Sequence, residues 1–89
     1  MNKARRKELR VVLSKIEELT TILEETKESL QSIIDEEQEA FDNLPEGIQS
    51  SERGEQMEEY IDAMQEVMDS LDELDTEDLY QTLEEIAEG

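Results

Sequence analysis

The side chains of this chain that could do chemistry are carboxylates, twenty-seven Asp and Glu against eight Lys and Arg. Paired carboxylates can act as acid and base across a cleft, or as oxygen ligands for a hard cation. Glu84 and Glu85 are adjacent in sequence, and adjacent residues do not face one another across a sugar-sized gap. The run DSLDELDTEDLYQTLEE is rich in oxygen ligands, but no window places the glycine that the sharp turn of an EF-hand loop requires. Histidine and cysteine are absent, which removes the usual general base, the thiolate nucleophile and the commonest transition-metal ligands. The expectation is a protein that is not an enzyme and that holds no cofactor and no specific metal.

What remains for the carboxylates is electrostatics. Twenty-two acids lie between Glu28 and Gly89 with one cation, Arg53, for a formal charge of −21 over that segment. Met1 to Lys27 holds the other seven cations against five acids. The chain is therefore two-ended in charge. An ordinary solvated helical face mixes signs, because Lys or Arg four residues after Glu adds weak favourable pairs. Removing the cations leaves self-repulsion that works against folding. Such a surface is repelled by anionic lipid and by nucleic acid, so direct nucleic-acid binding and membrane association are not expected. The partner it suits is a basic protein surface. The basic head ARRKELR could bind RNA or acidic lipid, but neutralisation of the acidic segment, within the chain or across chains, is the reading placed ahead of it.

Only Val11, Val12 and Leu13 follow the basic start before Ser14 and Lys15, so no signal-peptide core is read there. With no cysteine as well, a bacterial cytoplasmic location is expected.

The elements that must position these charges are helices. From Leu9 a heptad can be read with a at Leu9, Ile16, Leu23, Leu30, Glu37 and Leu44 and d at Val12, Leu19, Thr26, Ile33 and Ala40. Nine of these eleven are apolar, which predicts one long amphipathic helix over about 3–41. Leu13, Ile34 and Phe41 at e widen the stripe beyond a two-stranded seam. Residues 42–51 hold the only proline and read as a packed corner, with Leu44 and Ile48 tucked under the helix ends. Met57, Tyr60, Ile61, Met64, Val67, Met68, Leu71 and Leu74 predict a second helix over about 52–74, in which the methionines are core. The apolar set then shifts phase to Leu79, Leu83 and Ile86, predicting a break and a short helix over about 76–88 capped by Asp75 or Thr76. The expected fold is all-α: a long helical hairpin of one domain, residues 1–89, one long helix against two shorter ones, assembled as a homodimeric coiled coil or four-helix-bundle-like unit. The expected dimer interface is Leu9, Val12, Leu13, Ile16, Leu19, Leu23, Leu30, Ile33 and Ile34. In the hairpin, Lys3, Arg5, Arg6, Lys7 and Arg10 are expected to meet Glu84, Glu85 and Glu88.

On the second helix, with Met57 as a, Glu58 and Asp72 fall at b, Glu59, Glu66 and Glu73 at c, and Asp62 and Asp69 at f, all outward. With Asp75, eight carboxylates occupy residues 58–75. At 1.5 Å rise that is one about every 3 to 3.5 Å, near the roughly 3.4 Å between phosphates of one DNA strand. These eight, with Asp35, Glu36 and Glu39 on the long helix, are the expected partner-binding residues.

The segment FDNLPEGIQSSERGEQMEEYIDAMQEVMDSLDEL, Phe41 to Leu74, together with the acidity around it, is similar to the small acidic early proteins by which lytic bacteriophages take over a host cell. Within that group it resembles the DNA mimics that inhibit the nucleoid protein HU. The resemblance covers about a third of the chain and carries no catalytic signature. It implies a homodimeric helical protein whose carboxylates occupy the DNA-binding surface of HU and expel DNA. The function expected is thus competitive blockade of a basic nucleic-acid-binding host protein. Two other classes are carried: a structural or adaptor coiled coil such as a phage assembly chaperone, and an inhibitor of host RNA polymerase or of a repressor.

Overall fold

The structure, a computed structural model, describes all 89 residues, Met1–Gly89, and contains helices and turns with no strand. The elements are α1 (Lys3–Asp42), α2 (Glu46–Gln49), α3 (Glu52–Asp72) and α4 (Thr76–Glu88). No helix is long and apolar enough to cross a membrane. Contacts gather into two units, one of Met1–Glu25 with Leu74–Gly89 and one of Thr26–Glu73.

In the first unit the opening stretch of α1 is buried with α4. Leu13, Leu23 and Ala87 are buried, and Leu9, Ile16, Tyr80 and Leu83 are half-buried. The seam also holds polar members: Thr20 Oγ1 and Thr76 Oγ1 share a hydrogen bond of 2.7 Å, and Thr76 is buried. In the second unit the later stretch of α1 packs on α3. Ile34, Ile61 and Met68 form its buried cluster, and Leu30, Phe41, Met64 and Leu71 pack against it. Lys27 Nζ reaches Asp72 Oδ1 at 2.9 Å.

These contacts correct the heptad frame. Apart from half-buried Gln31 at its edge, the inward residues of α1 are Arg6, Leu9, Leu13, Ile16, Thr20, Leu23, Lys27, Leu30, Ile34, Glu37 and Phe41, followed by Leu44 beyond its end. They alternate in steps of three and four, so the seam combines the a and e positions of the sequence frame. Its d positions Val12, Leu19, Thr26, Ile33 and Ala40 stay on the surface. Relettered on the true seam, α1 has a at Arg6, Leu13, Thr20, Lys27, Ile34 and Phe41 and d three residues after each. On α3, a falls at Gly54, Ile61 and Met68 and d at Met57, Met64 and Leu71. In α4 the seam resumes at Thr76, one residue later than continuation would place it, with d at Thr76 and Leu83 and a at Tyr80 and Ala87. The phase slip read from the sequence is real, but Leu79 and Ile86 are exposed and lie outside the seam.

Local chemistry sets the ends. Asn2 Oδ1 accepts from the Arg5 backbone N–H at 2.9 Å, capping a first turn that carries cations and no acid. No ion pair joins those cations to Glu84, Glu85 or Glu88, so the side-chain pairing expected there is not formed. At the other end of α1, Gln49 Nε2 donates to the Phe41 carbonyl at 3.1 Å, satisfying an acceptor that the helix end leaves open. Pro45 opens α2, a single turn inside the corner, where Leu44 is half-buried but Ile48 is exposed. Ser51 begins α3. Asp75 begins α4, its side chain accepting from the Asp78 N–H at 3.0 Å.

Gly54 lies inside α3 where a glycine ordinarily weakens a helix. A Cβ there would overlap the Gln49 carbonyl oxygen and come within 2.7 Å of the Ile48 oxygen, both backbone atoms of the corner. Only glycine lets α2 and α3 approach this closely.

Two substitutions test these devices by chemical denaturation. Gly54→Ala is expected to destabilise by about 1–3 kcal/mol, against the helix-propensity gain of an alanine; equal or greater stability would show that the corner moves freely. Asp75→Ala is expected to lower stability by ~1 kcal/mol through loss of the cap, and Asp75→Asn to restore most of it.

Candidate partner-binding surface

Alpha-helical spacing sorts the acids of α3 without exception. Glu55, Asp62 and Asp69 are at b, Glu58 and Asp72 at e, and Glu52, Glu59 and Glu66 at f, with Glu73 at f just past the helix end. In projection e, b and f are consecutive and span about 100° of the helix. Every one of these residues is exposed. The only cation on α3, Arg53, is at g, on the other side of the seam. The other positions opposite the acids are neutral: Gln56, Ala63 and Ser70 at c, and Tyr60 and Val67 at g. The acids of α4 obey the same rule, with Glu77 and Glu84 at e, Asp78 and Glu85 at f and Glu88 at b. Only Glu84 among them is half-buried.

The sequence-predicted partner residues divide by what else they do. Glu58, Glu59, Asp62, Glu66, Asp69 and Glu73 lie together on the exposed sector of α3. Asp72 shares that sector but is ion-paired to Lys27, and Asp75 is occupied as the cap of α4. On α1, Asp35, Glu36 and Glu39 are exposed at b, c and f, and Asp35 Oδ1 accepts from Gln31 Nε2 at 2.9 Å. Of the nine residues assigned to a dimer interface, Leu13, Leu23 and Ile34 are buried within the chain and Leu9, Ile16 and Leu30 partly so. Val12, Leu19 and Ile33 remain at the surface.

Beside the Thr20–Thr76 pair lies a shallow groove of about 300 Å³ lined by Glu17, Thr20, Thr76, Glu77 and Tyr80. Tyr80 Oη donates to Glu17 Oε1 at 3.0 Å. That hydrogen bond, the small desolvation of the phenol and the charges of Glu17, Glu84 and Glu88 raise its pKa above the ordinary 10.0. A phenol held protonated next to a carboxylate has no base chemistry at neutral pH. No group of three or more acids is gathered closely enough to hold a metal ion. At the basic head, Lys3, Arg6, Lys7 and Arg10 line a second groove, and Arg6 Nε is buried without a hydrogen-bond partner.

Sequence reasoning missed the contacts Tyr80–Glu17, Thr20–Thr76 and Lys27–Asp72. Threonine or lysine at seam spacing was the available signal for two of them. The pairing of Tyr80 with Glu17, sixty-three residues apart, had none.

Comparisons with protein-family models, with curated proteins and with solved structures found no match.

The Tyr80 contact has a measurable pH consequence. Because its folded pKa is raised, its contribution to stability is complete below pH 10.0 and is lost as pH rises through the folded value. In a Tyr60→Phe background, phenolate absorbance is expected to titrate with a midpoint above 10.0, and adding Glu17→Gln is expected to lower it. A midpoint indifferent to Glu17 would show that the hydrogen bond is not made in solution.

Proposed function

We propose that this protein is an anionic helical mimic of a nucleic-acid strand: it occupies the nucleic-acid-binding surface of a basic protein and blocks that surface by competition. The single observation that carries the reading is the sorting of the α3 acids, all within the b, e and f sector with no cation among them. A sector so arranged offers negative charge at closely spaced intervals along a rigid rod, as a phosphate backbone does. Bringing a basic groove against it releases counterions from both surfaces and accelerates encounter, the same terms that drive protein–DNA association. No bond is made or broken.

The nucleoid protein HU in the bacterial cytoplasm is the first target to test, since the resemblance of Phe41–Leu74 points to it. A basic face on RNA polymerase or on a repressor would be engaged by the same carboxylates and is distinguished only by which protein is displaced from nucleic acid. An adaptor binding through apolar contacts would respond oppositely to salt.

Replacing Glu58, Asp62, Glu66, Asp69 and Glu73 by their amides is expected to weaken HU binding roughly tenfold or more, each exposed pair supplying a few tenths of a kcal/mol. Helicity by circular dichroism should be unchanged or higher, because repulsion is relieved. Binding by the parent chain should fall steeply as salt is added. Unchanged affinity in the amide variant, a salt-insensitive complex, or a ternary complex in which HU holds duplex and this chain together would each overturn the reading.

A further inference from the structure

The groove beside Tyr80 shares no residue with the acidic sector of α3 and lies wholly within the unit of Met1–Glu25 and Leu74–Gly89. Its side-chain donors are already spent. Tyr80 Oη gives its proton to Glu17 Oε1 at 3.0 Å. Thr20 Oγ1 lies 2.9 Å from the Ile16 carbonyl and 2.7 Å from Thr76 Oγ1, so one hydroxyl proton goes to the carbonyl and the other joins the two threonines. What the lining side chains have left is acceptors. Glu17 keeps its second carboxylate oxygen, and Glu77, exposed in the first turn of α4, keeps both. The rest of the lining is the half-buried ring of Tyr80 and the two threonines with their hydroxyls engaged. A ligand matched to such a lining has an apolar body and a head that donates hydrogen bonds without accepting any, which among side chains means arginine or lysine. No Lys or Arg of the chain itself lines the groove.

We propose that the groove is a socket for one arginine side chain of the basic partner, its guanidinium stacked on the Tyr80 ring and paired with Glu17 and Glu77. The inference rests on the proposed function only for where that arginine comes from.

Three observations select this occupant. An anion is repelled by Glu17 and Glu77, and the start of α4, which would otherwise attract one, is already capped by Asp75. A free small molecule is a poorer match, because at about 300 Å³ the groove is at the lower limit of ligand pockets and too shallow to enclose what it holds. The ring chooses arginine over lysine. A planar guanidinium stacks on an aromatic face and meets a carboxylate with two N–H groups, whereas an ammonium is a compact, strongly hydrated point charge. Tyr80 suits that part because its hydroxyl is tied to Glu17, which orients the ring before the ligand arrives.

The experiment uses the full chain with Nα-acetylarginine amide as probe and Nα-acetyllysine amide as a second probe of equal charge. Tyrosine ring resonances are followed by NMR. Saturable shifts are expected at Tyr80 and not at Tyr60, which is 57% exposed on α3 and reports the general attraction of cations to a −19 chain. The lysine probe is expected to bind about threefold more weakly, Glu17→Gln and Glu77→Gln each to weaken the arginine probe about threefold, and Tyr80→Leu to erase the preference for arginine. Should Tyr80→Leu unfold, the two glutamate variants still decide, since both side chains are exposed. Equal shifts at both tyrosines, or arginine and lysine probes bound alike by the parent chain, would overturn the socket. So would HU that binds the parent chain and the double variant Glu17→Gln with Glu77→Gln equally well. Failure of the mimic reading looks different: HU ignores the amide replacements on α3 while the arginine probe still seats at Tyr80, which keeps the socket.

Discussion

The constraint on which the rest of the structure depends is like-charge repulsion along α3 and α4. Carboxylates three and four residues apart recur along α3, from Glu52 and Glu55 to Asp69 and Glu73, and each such pair destabilises an isolated helix by about 0.2–0.5 kcal/mol. No lysine or arginine on that sector relieves them. The helix persists because the repulsion is confined to three heptad positions and the seam on the other side supplies packing. Full burial of a Leu, Ile or Met side chain contributes about 1.5–3 kcal/mol, and Ile61 and Met68 with Ile34 are the buried centre of that unit. Confinement of the acids and closure of the seam are thus one arrangement.

Small devices hold that arrangement in register. The seam of α3 cannot run unbroken into α4, because continuing it would bring Asp75, Asp78 and Glu85 inward. The chain stops the helix after Asp72, turns through Glu73 to Asp75 and restarts with Asp75 as cap and Thr76 buried. The corner works by close approach: Gly54 admits the backbone of α2, and Gln49 closes the carboxyl end of α1. Neither device touches the acidic sector, yet both set which way it faces. The proposed function depends on orientation as much as on charge, since the same acids scattered around the helix would offer no face.

Position letters also separate two surfaces that composition merges. Helix α3 has an apolar seam, an anionic sector and a flank that carries no acid, each formed by its own positions: a and d, b with e and f, and c with g. The proposed function assigns the second to a basic partner.

Periodicity and charge order along the chain determined much by themselves: four-residue alternation of apolar side chains requires helix, the DNLPEG run requires a corner, the slip after Leu71 requires a break, and the missing cations require an anionic surface. The choice between two seams was not contained in that pattern. Apolar residues occupy three adjacent columns of α1, and the column of Val12, Leu19 and Ile33 reads as inward as well as that of Leu13, Ile34 and Phe41. Only tertiary structure decided for the second, because a seam is a joint property of two helices. The selected register gives Thr20 the hydroxyl of Thr76 and Lys27 the carboxylate of Asp72, partners that lie more than forty residues away. That choice left the first column as an exposed flank and turned every acid of α3 to one side.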